Sequence, residues 1–183
     1  MVKRKIIAIS GSHRDSNTDS ALRQVIEGCK KEGAQVRLVF LREVKFQQCC
    51  GWSDCYYKNY CIVKDALSPL FNDMDKADAF ILATPVYFDN VSGFMKNFMD
   101  RSNPYCKPPR YKRKKVALVC VGGASGKSIA KCDEMLRAFC FHHRLDVFGT
   151  FTAIADHEKE ILKNKTALDE AFEFGVKFAK SLR

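Results

Sequence analysis

The sequence of 183 residues predicts an α/β fold in three layers, with helices on both faces of a five-stranded parallel sheet of order 2-1-3-4-5. Three observations carry this. Five short apolar runs, each of strand length, are spread along the chain. Between them lie segments whose apolar residues recur at helical spacing. The runs are mostly continuous rather than alternating, which fits strands buried on both faces by the intervening helices.

Lys5–Ser10 (KIIAIS) is the first strand. Thr18–Glu32 follows as a helix, with Ala21, Leu22, Val25, Ile26 and Cys29 on one stripe and Gly33 as its stop. Gln35–Phe40 alternates through Val36, Leu38 and Phe40 and is the second strand. Ala77–Thr84 (ADAFILAT) and Lys115–Val121 (KVALVCV) are the third and fourth, and Leu145–Ala155 holds a fifth, interrupted by Gly149. Helical patterns occupy about 65–75, 91–100, 126–141 and 158–181. No repeat or linker divides the chain, so one domain spanning 1–183 is expected, with a cysteine-rich loop at 46–64. In a sheet of this order a ligand lies past the carboxyl ends of the strands, at the switch point. The loops after strands one, three and four therefore matter most.

Hydrophobic residues at 46% and charged residues at 28% are ordinary for a globular protein. Ten glycines and five prolines exclude collagen-like and low-complexity classes. No apolar run approaches the roughly 20 residues of a membrane span. The run Ile6–Ile9 is too short for a signal-peptide core, so a soluble cytoplasmic protein is expected. Lys and Arg total 31 against 21 Asp and Glu, a net charge of +10. The excess is local: no acid lies between Asp100 and Asp133, a stretch with nine cations. Such a patch steers anions. A nucleic-acid partner is disfavoured, because no reading motif accompanies the charge.

The loop after strand one, Ser10-Gly11-Ser12-His13-Arg14-Asp15-Ser16-Asn17-Thr18, puts hydroxyls, an amide and an Arg before a helix start. That composition suits a phosphate, bound by helix N–H groups and side-chain donors, and six polar groups exceed what N-capping by Asn17 or Thr18 needs. It is not GxGxxG, so a dinucleotide is disfavoured there. The loop after strand three, Thr84-Pro85-Val86-Tyr87-Phe88-Asp89-Asn90, offers aromatics against which a flat ring could stack, or which could tuck into the core. The loop after strand four, Val121-Gly122-Gly123-Ala124-Ser125-Gly126-Lys127-Ser128, is not a Walker A loop. That motif needs Gly five positions before Gly126, where Val121 stands, which disfavours an NTPase.

The motifs GSHRDSNT, TPVYFDNVSGFMKNFMDR and VGGASGKS together resemble the NADPH-dependent FMN reductase family of flavodoxin-like proteins, and its iron–sulfur flavoprotein branch in particular, over nearly the whole chain. The resemblance implies FMN, redox chemistry and homo-oligomers, dimers or tetramers. It implies that Ser10, Ser12, Arg14, Ser16, Asn17 and Thr18 hold the FMN phosphate. Pro85, Val86, Tyr87, Phe88 and Asn90 would contact the ring and ribityl chain, and Gly122, Gly123 and Ala124 would close over the ring. The expected function is an FMN-dependent oxidoreductase passing electrons from NAD(P)H, or from a reduced carrier such as ferredoxin, to an acceptor. The rival is a non-enzymatic flavodoxin-like module that docks a partner on the basic loop 107–115. No catalytic triad is expected, since the cofactor carries the chemistry.

Of nine cysteines, four crowd a short stretch: Cys49, Cys50, Cys55 and Cys61. Four thiolates suit a cubane cluster or a tetrahedral zinc. In the iron–sulfur branch the motif here is C-x-x-C-x-x-C-x5-C. Cys49, Cys55 and Cys61 match three positions, and Trp52 occupies the second. With Cys50 as fourth ligand the loop would hold a [4Fe–4S] cluster; otherwise its thiols stay unligated or redox-active.

Overall fold

The structure is a computed structural model and describes residues 3–182. Its five strands are β1 (Lys5–Ser10), β2 (Gln35–Phe40), β3 (Ala79–Pro85), β4 (Lys115–Gly122) and β5 (Asp146–Ile154). They form one sheet of order β2-β1-β3-β4-β5, parallel at every pairing, as expected. The helices are α1 (Asn17–Lys31), α2 (Cys55–Lys58), α3 (Leu67–Lys76), α4 (Gly93–Arg101), α5 (Gly126–His142) and α6 (Lys165–Ser181).

Successive residues of a strand face opposite sides, and β1 divides the core accordingly. Ile7 and Ile9 join Leu70, Phe71, Met95, Phe98, Leu136 and Phe139 of α3, α4 and α5 on one face. Ile6 and Ala8 join Leu22, Val25, Ala171 and Phe178 of α1 and α6 on the other. α1 and α6 meet backbone to backbone. A Cβ on Gly28 would lie 2.0 Å from the Phe172 carbonyl oxygen, and one on Gly175 would lie 2.0 Å from that of Val25.

Two expectations shift. The interruption at Gly149 is a bulge inside a continuous strand: Val116 pairs with Val147 and Ala117 with Gly149, leaving Phe148 extra. Its ring packs on Phe174 and Phe178. The last helix starts at Lys165 rather than 158, because Asn164 caps it by accepting from the Ala167 N–H. The residues before it form a 3-10 turn, Glu160–Lys163. Among the described residues no helix is long and apolar enough to cross a membrane.

Arg101, counted in sequence as one of the patch cations, is fully buried at the end of α4. It makes a bidentate pair with Asp65 at 2.6 and 3.0 Å and donates to the carbonyls of Gln47 and Val63. It thereby anchors both ends of the cysteine-rich loop to the core. Burial alone would raise the Asp65 pKa; Arg101 and the N–H groups of Gln47 and Leu67 outweigh it and hold it below the usual value. A depressed acid stabilises the fold above its unfolded pKa and loses that contribution as pH falls through the folded value. Arg101→Met, which strands a carboxylate, is expected to cost about 3–5 kcal/mol in urea denaturation at neutral pH. Arg101→Met with Asp65→Leu should recover much of it.

Candidate functional site

Helix α1 starts with Ser16 as an extended N-cap, and no side chain caps it. Helices α4, α5 and α6 differ: Ser92, Ser125 and Asn164 each accept the N–H three residues on. The first-turn N–H groups of α1 and the positive end of its dipole are thus left open to a ligand. Ser16, Asn17 and Thr18 line a cavity of about 530 Å³ at the carboxyl edge of the sheet. That volume is within the range usual for small-molecule sites.

Below the loop, Ser10 is fully buried and donates to the Asp19 carboxylate at 2.5 Å. Asp19 takes its second partner, Arg42, at 2.7 Å. Arg42 also reaches the Ser12 carbonyl and lies over the Phe40 ring, 4.2 Å from its centroid. Burial raises the Asp19 pKa, and the bonds from Ser10 and Arg42 pull against it. Asn17 turns away from the loop. Its amide nitrogen donates to the Ala155 and His157 carbonyls, and its oxygen accepts the Ile161 N–H. Ser10 and Asn17 therefore build the loop rather than meet a ligand with their side chains. The Ser12 hydroxyl donates to the Arg14 carbonyl at 2.6 Å. The Ser16 hydroxyl oxygen accepts only a long bond from the Lys159 N–H, 3.4 Å. The Thr18 hydroxyl and the Arg14 guanidinium have no partner among the described residues. The groups that remain, N–H donors, hydroxyls and a guanidinium, fit a phosphate.

The loop after β3 is a two-residue turn in which Tyr87 and Asn90 exchange backbone hydrogen bonds. Its central residues, Phe88 and Asp89, have φ of 50° and 61°, the pattern of a type I′ turn. Asp89 is tied to Lys131 of α5 at 2.5 Å. Pro85, Val86 and Tyr87 line the cavity; Phe88 and Asn90 do not. The Asn90 side chain accepts the Val91 N–H, and the Phe88 ring is wholly exposed. The His13 ring rests against Phe94 at 4.5 Å and Tyr87 at 5.6 Å.

Gly122, Gly123 and Ala124 line the cavity beside Pro85, Val86 and Tyr87. A Cβ on Gly122 would lie 2.8 Å from that of Val86, and one on Gly123 2.3 Å from an Asp156 carboxylate oxygen. These glycines let the loops close on one another. Sequence reasoning missed Ala155 and Asp156, which complete the wall after β5. Their position at a strand's carboxyl end was the available signal.

The cysteine loop departs from expectation. It contains the one-turn helix α2, ended by Asn59 in a left-handed conformation. Cys55 is buried, and its sulfur accepts from Asn103 at 3.3 Å. Cys61 contacts Arg101 instead. Cys49 and Cys55 line a second cleft, of about 630 Å³, from which Cys50 and Cys61 are absent. Trp52 packs on Tyr60 and under Lys58. A cubane needs four sulfurs around one volume. Cys49, Cys50, Cys55 and Cys61 do not provide it, and among the described residues no three metal-ligating side chains converge. The donor set does not fit a [4Fe–4S] cluster.

The basic loop is also partly consumed by structure. Lys114 donates to the carbonyls of Met74, Asp75 and Ala77 at the end of α3, Lys115 to Ser181 at the end of α6, and Arg110 pairs with Asp75.

A model of the NADPH-dependent FMN reductase family matches residues 4–160. The chain belongs to that family. An iron–sulfur flavoprotein of Methanocaldococcus jannaschii is 30% identical over 146 residues, which cover 79% of this chain and 76% of that one. Another from Archaeoglobus fulgidus is 37% identical over 98 residues, 54% of this chain and 48% of the relative, so the match spans about half of that protein's length. Among solved structures, an NAD(P)H:quinone oxidoreductase from Methanothermobacter marburgensis superposes with a TM-score of 0.75 at 13% identity, covering 97% of this chain and 100% of that one. A flavodoxin from the domain Archaea gives 0.65 at 14%, covering 97% and 98%. The flavodoxin-like fold and the family's character as FMN-dependent oxidoreductases are thereby fixed.

The carboxylate under the loop yields a pH test. Arg42→Met leaves Asp19 buried and unpaired, which should cost about 3–5 kcal/mol at neutral pH. A raised acid destabilises the fold as pH rises through its folded pKa. The deficit should therefore shrink as pH is lowered in urea denaturation, whereas a pH-independent deficit would mean that Asp19 is already neutral.

Proposed function

We propose that the chain binds FMN in the 530 Å³ cavity and uses it to pass electrons from NAD(P)H to an acceptor. The observation that carries this is the start of α1, without a side-chain cap, on the same cavity as Tyr87. FMN supplies the redox chemistry when bound. The chain's part is to bind, orient and shield. The α1 N–H groups, Arg14, Ser16 and Thr18 hold the phosphate. Pro85, Val86 and Tyr87 contact the ring, and the adjoining Gly122–Ala124 backbone closes over it.

The wild type should bind FMN more tightly than riboflavin, which lacks the phosphate. Charge-assisted hydrogen bonds are worth about 1.5–3 kcal/mol each. Thr18→Val with Arg14→Ala should therefore weaken FMN at least tenfold and leave riboflavin unchanged in fluorescence titration. Equal losses for both ligands would place the phosphate elsewhere. Anaerobic NADPH should bleach the visible absorbance of the loaded protein; a colour that persists would favour the non-enzymatic module.

The reading includes a homo-oligomer. Its support is Phe88, a fully exposed ring held in a left-handed conformation beside the cavity. That conformation costs about 1–2 kcal/mol for such a residue, and Asn tolerates it better. Phe88→Asn is expected to raise stability by about 1 kcal/mol and to shift the protein towards monomer in light scattering. An unchanged mass would remove Phe88 from the interface.

A further inference from the structure

The cavity assigned to FMN holds one group that a phosphate seat does not explain. Among the described residues that line it, Asp156 is the one acid. A site for an anion gains from cations and N–H donors, and a carboxylate works against it. Asp156 is also unspent. Its backbone N–H donates to Glu160, but its side chain makes no hydrogen bond or ion pair with any described residue. Arg14 lines the same cavity and is not paired with it.

The chain fixes Asp156 in place from two directions. The residues flanking it, Ala155 and His157, accept with their carbonyls from the Asn17 amide at 3.4 and 2.8 Å. Asn17 is the first residue of α1, at the seat assigned to the phosphate. The Ile161 N–H donates back to the Asn17 side chain at 3.1 Å. One carboxylate oxygen of Glu160 accepts the N–H groups of both Asp156 and His157, at 2.7 and 2.9 Å. From the other direction, the Asp156 carboxylate lies against Gly123. A Cβ on that glycine would stand 2.3 Å from one carboxylate oxygen and 2.8 Å from the carboxyl carbon. Asp156 therefore stands between the start of α1 and the loop that closes over the ring.

In FMN the piece between phosphate and ring is the ribityl chain. An ionised carboxylate can only accept hydrogen bonds, so its partner must be a donor. The phosphate is an anion and repels it. The ring offers a single N–H, whereas the ribityl chain offers a row of hydroxyls.

We propose that Asp156 is a specificity-determining residue of the flavin site, its carboxylate accepting hydrogen bonds from the ribityl hydroxyls. This rests on the FMN reading and deepens it. The residue has two opposed effects. Its hydrogen bonds favour any flavin that carries a ribityl chain, and its charge disfavours the phosphate. Asp156 thus supports riboflavin more than FMN, while the start of α1 supplies the preference for FMN.

The test is fluorescence titration of the purified chain with FMN, riboflavin and lumiflavin, which keeps the ring and lacks the ribityl chain. Wild-type protein should bind riboflavin more tightly than lumiflavin. Asp156→Ala should weaken riboflavin about tenfold, the loss expected of one charge-assisted hydrogen bond, and leave lumiflavin unchanged. FMN should lose less than riboflavin, because the repulsion goes with the carboxylate. Asp156→Asn keeps an acceptor oxygen and should recover part of the riboflavin loss. The side chain bonds to nothing in the fold, so both variants should melt at the wild-type temperature without flavin. Riboflavin binding unchanged in Asp156→Ala, or lumiflavin weakened as much as riboflavin, would overturn the proposal and leave the FMN reading standing. A wild-type chain that takes up neither FMN nor riboflavin would overturn both.

Discussion

The constraint on which the rest depends is the open end of α1. A helix leaves its first N–H groups without partners, and burying them unpaired is costly. Helices α4, α5 and α6 meet this demand with Ser92, Ser125 and Asn164. At α1 it does not, and the groups look into a cavity instead. The surroundings keep that end in place. Ser10, Asp19 and Arg42 join β1, α1 and the turn after β2 from below. Asn17 pins the helix start to the segment after β5. A ligand that brings negative charge and acceptors completes the arrangement.

The parallel sheet turns this local feature into a site. Because every pairing is parallel, the loops after β1, β3, β4 and β5 emerge on one edge. Glycines at 122 and 123 let them pack against Val86 and Asp156 without intervening side chains. Phosphate donors therefore stand on one side of the cavity and an aromatic turn on another. This division suits a molecule with a charged tail and a flat head.

Much of this was legible in the sequence. Strand-sized apolar runs and helical stripes gave the element positions, because burial on both faces of a sheet writes itself into composition, and five such strands suit the order 2-1-3-4-5. The phosphate loop was legible from the density of its polar residues, but the jobs within it were not. Ser10 and Asn17 read as ligand groups, and only tertiary partners more than a hundred residues away show that Asn17 is structural. Arg101 read as a surface cation, and its burial depends on Asp65 and two loop carbonyls that spacing does not reveal. The cysteine loop misled most. Spacing suggested four ligands, yet Arg101 and a single helical turn hold Cys61 and Cys55 in different surroundings.

The most direct measurement of the central claim is the identity of the flavin released when the purified protein is denatured, separated by chromatography and counted against chain concentration. The account predicts FMN at one per chain, after loading if the protein is isolated without it. Riboflavin or FAD in its place, or a chain that takes up no flavin, would contradict a phosphate seated at the open end of α1.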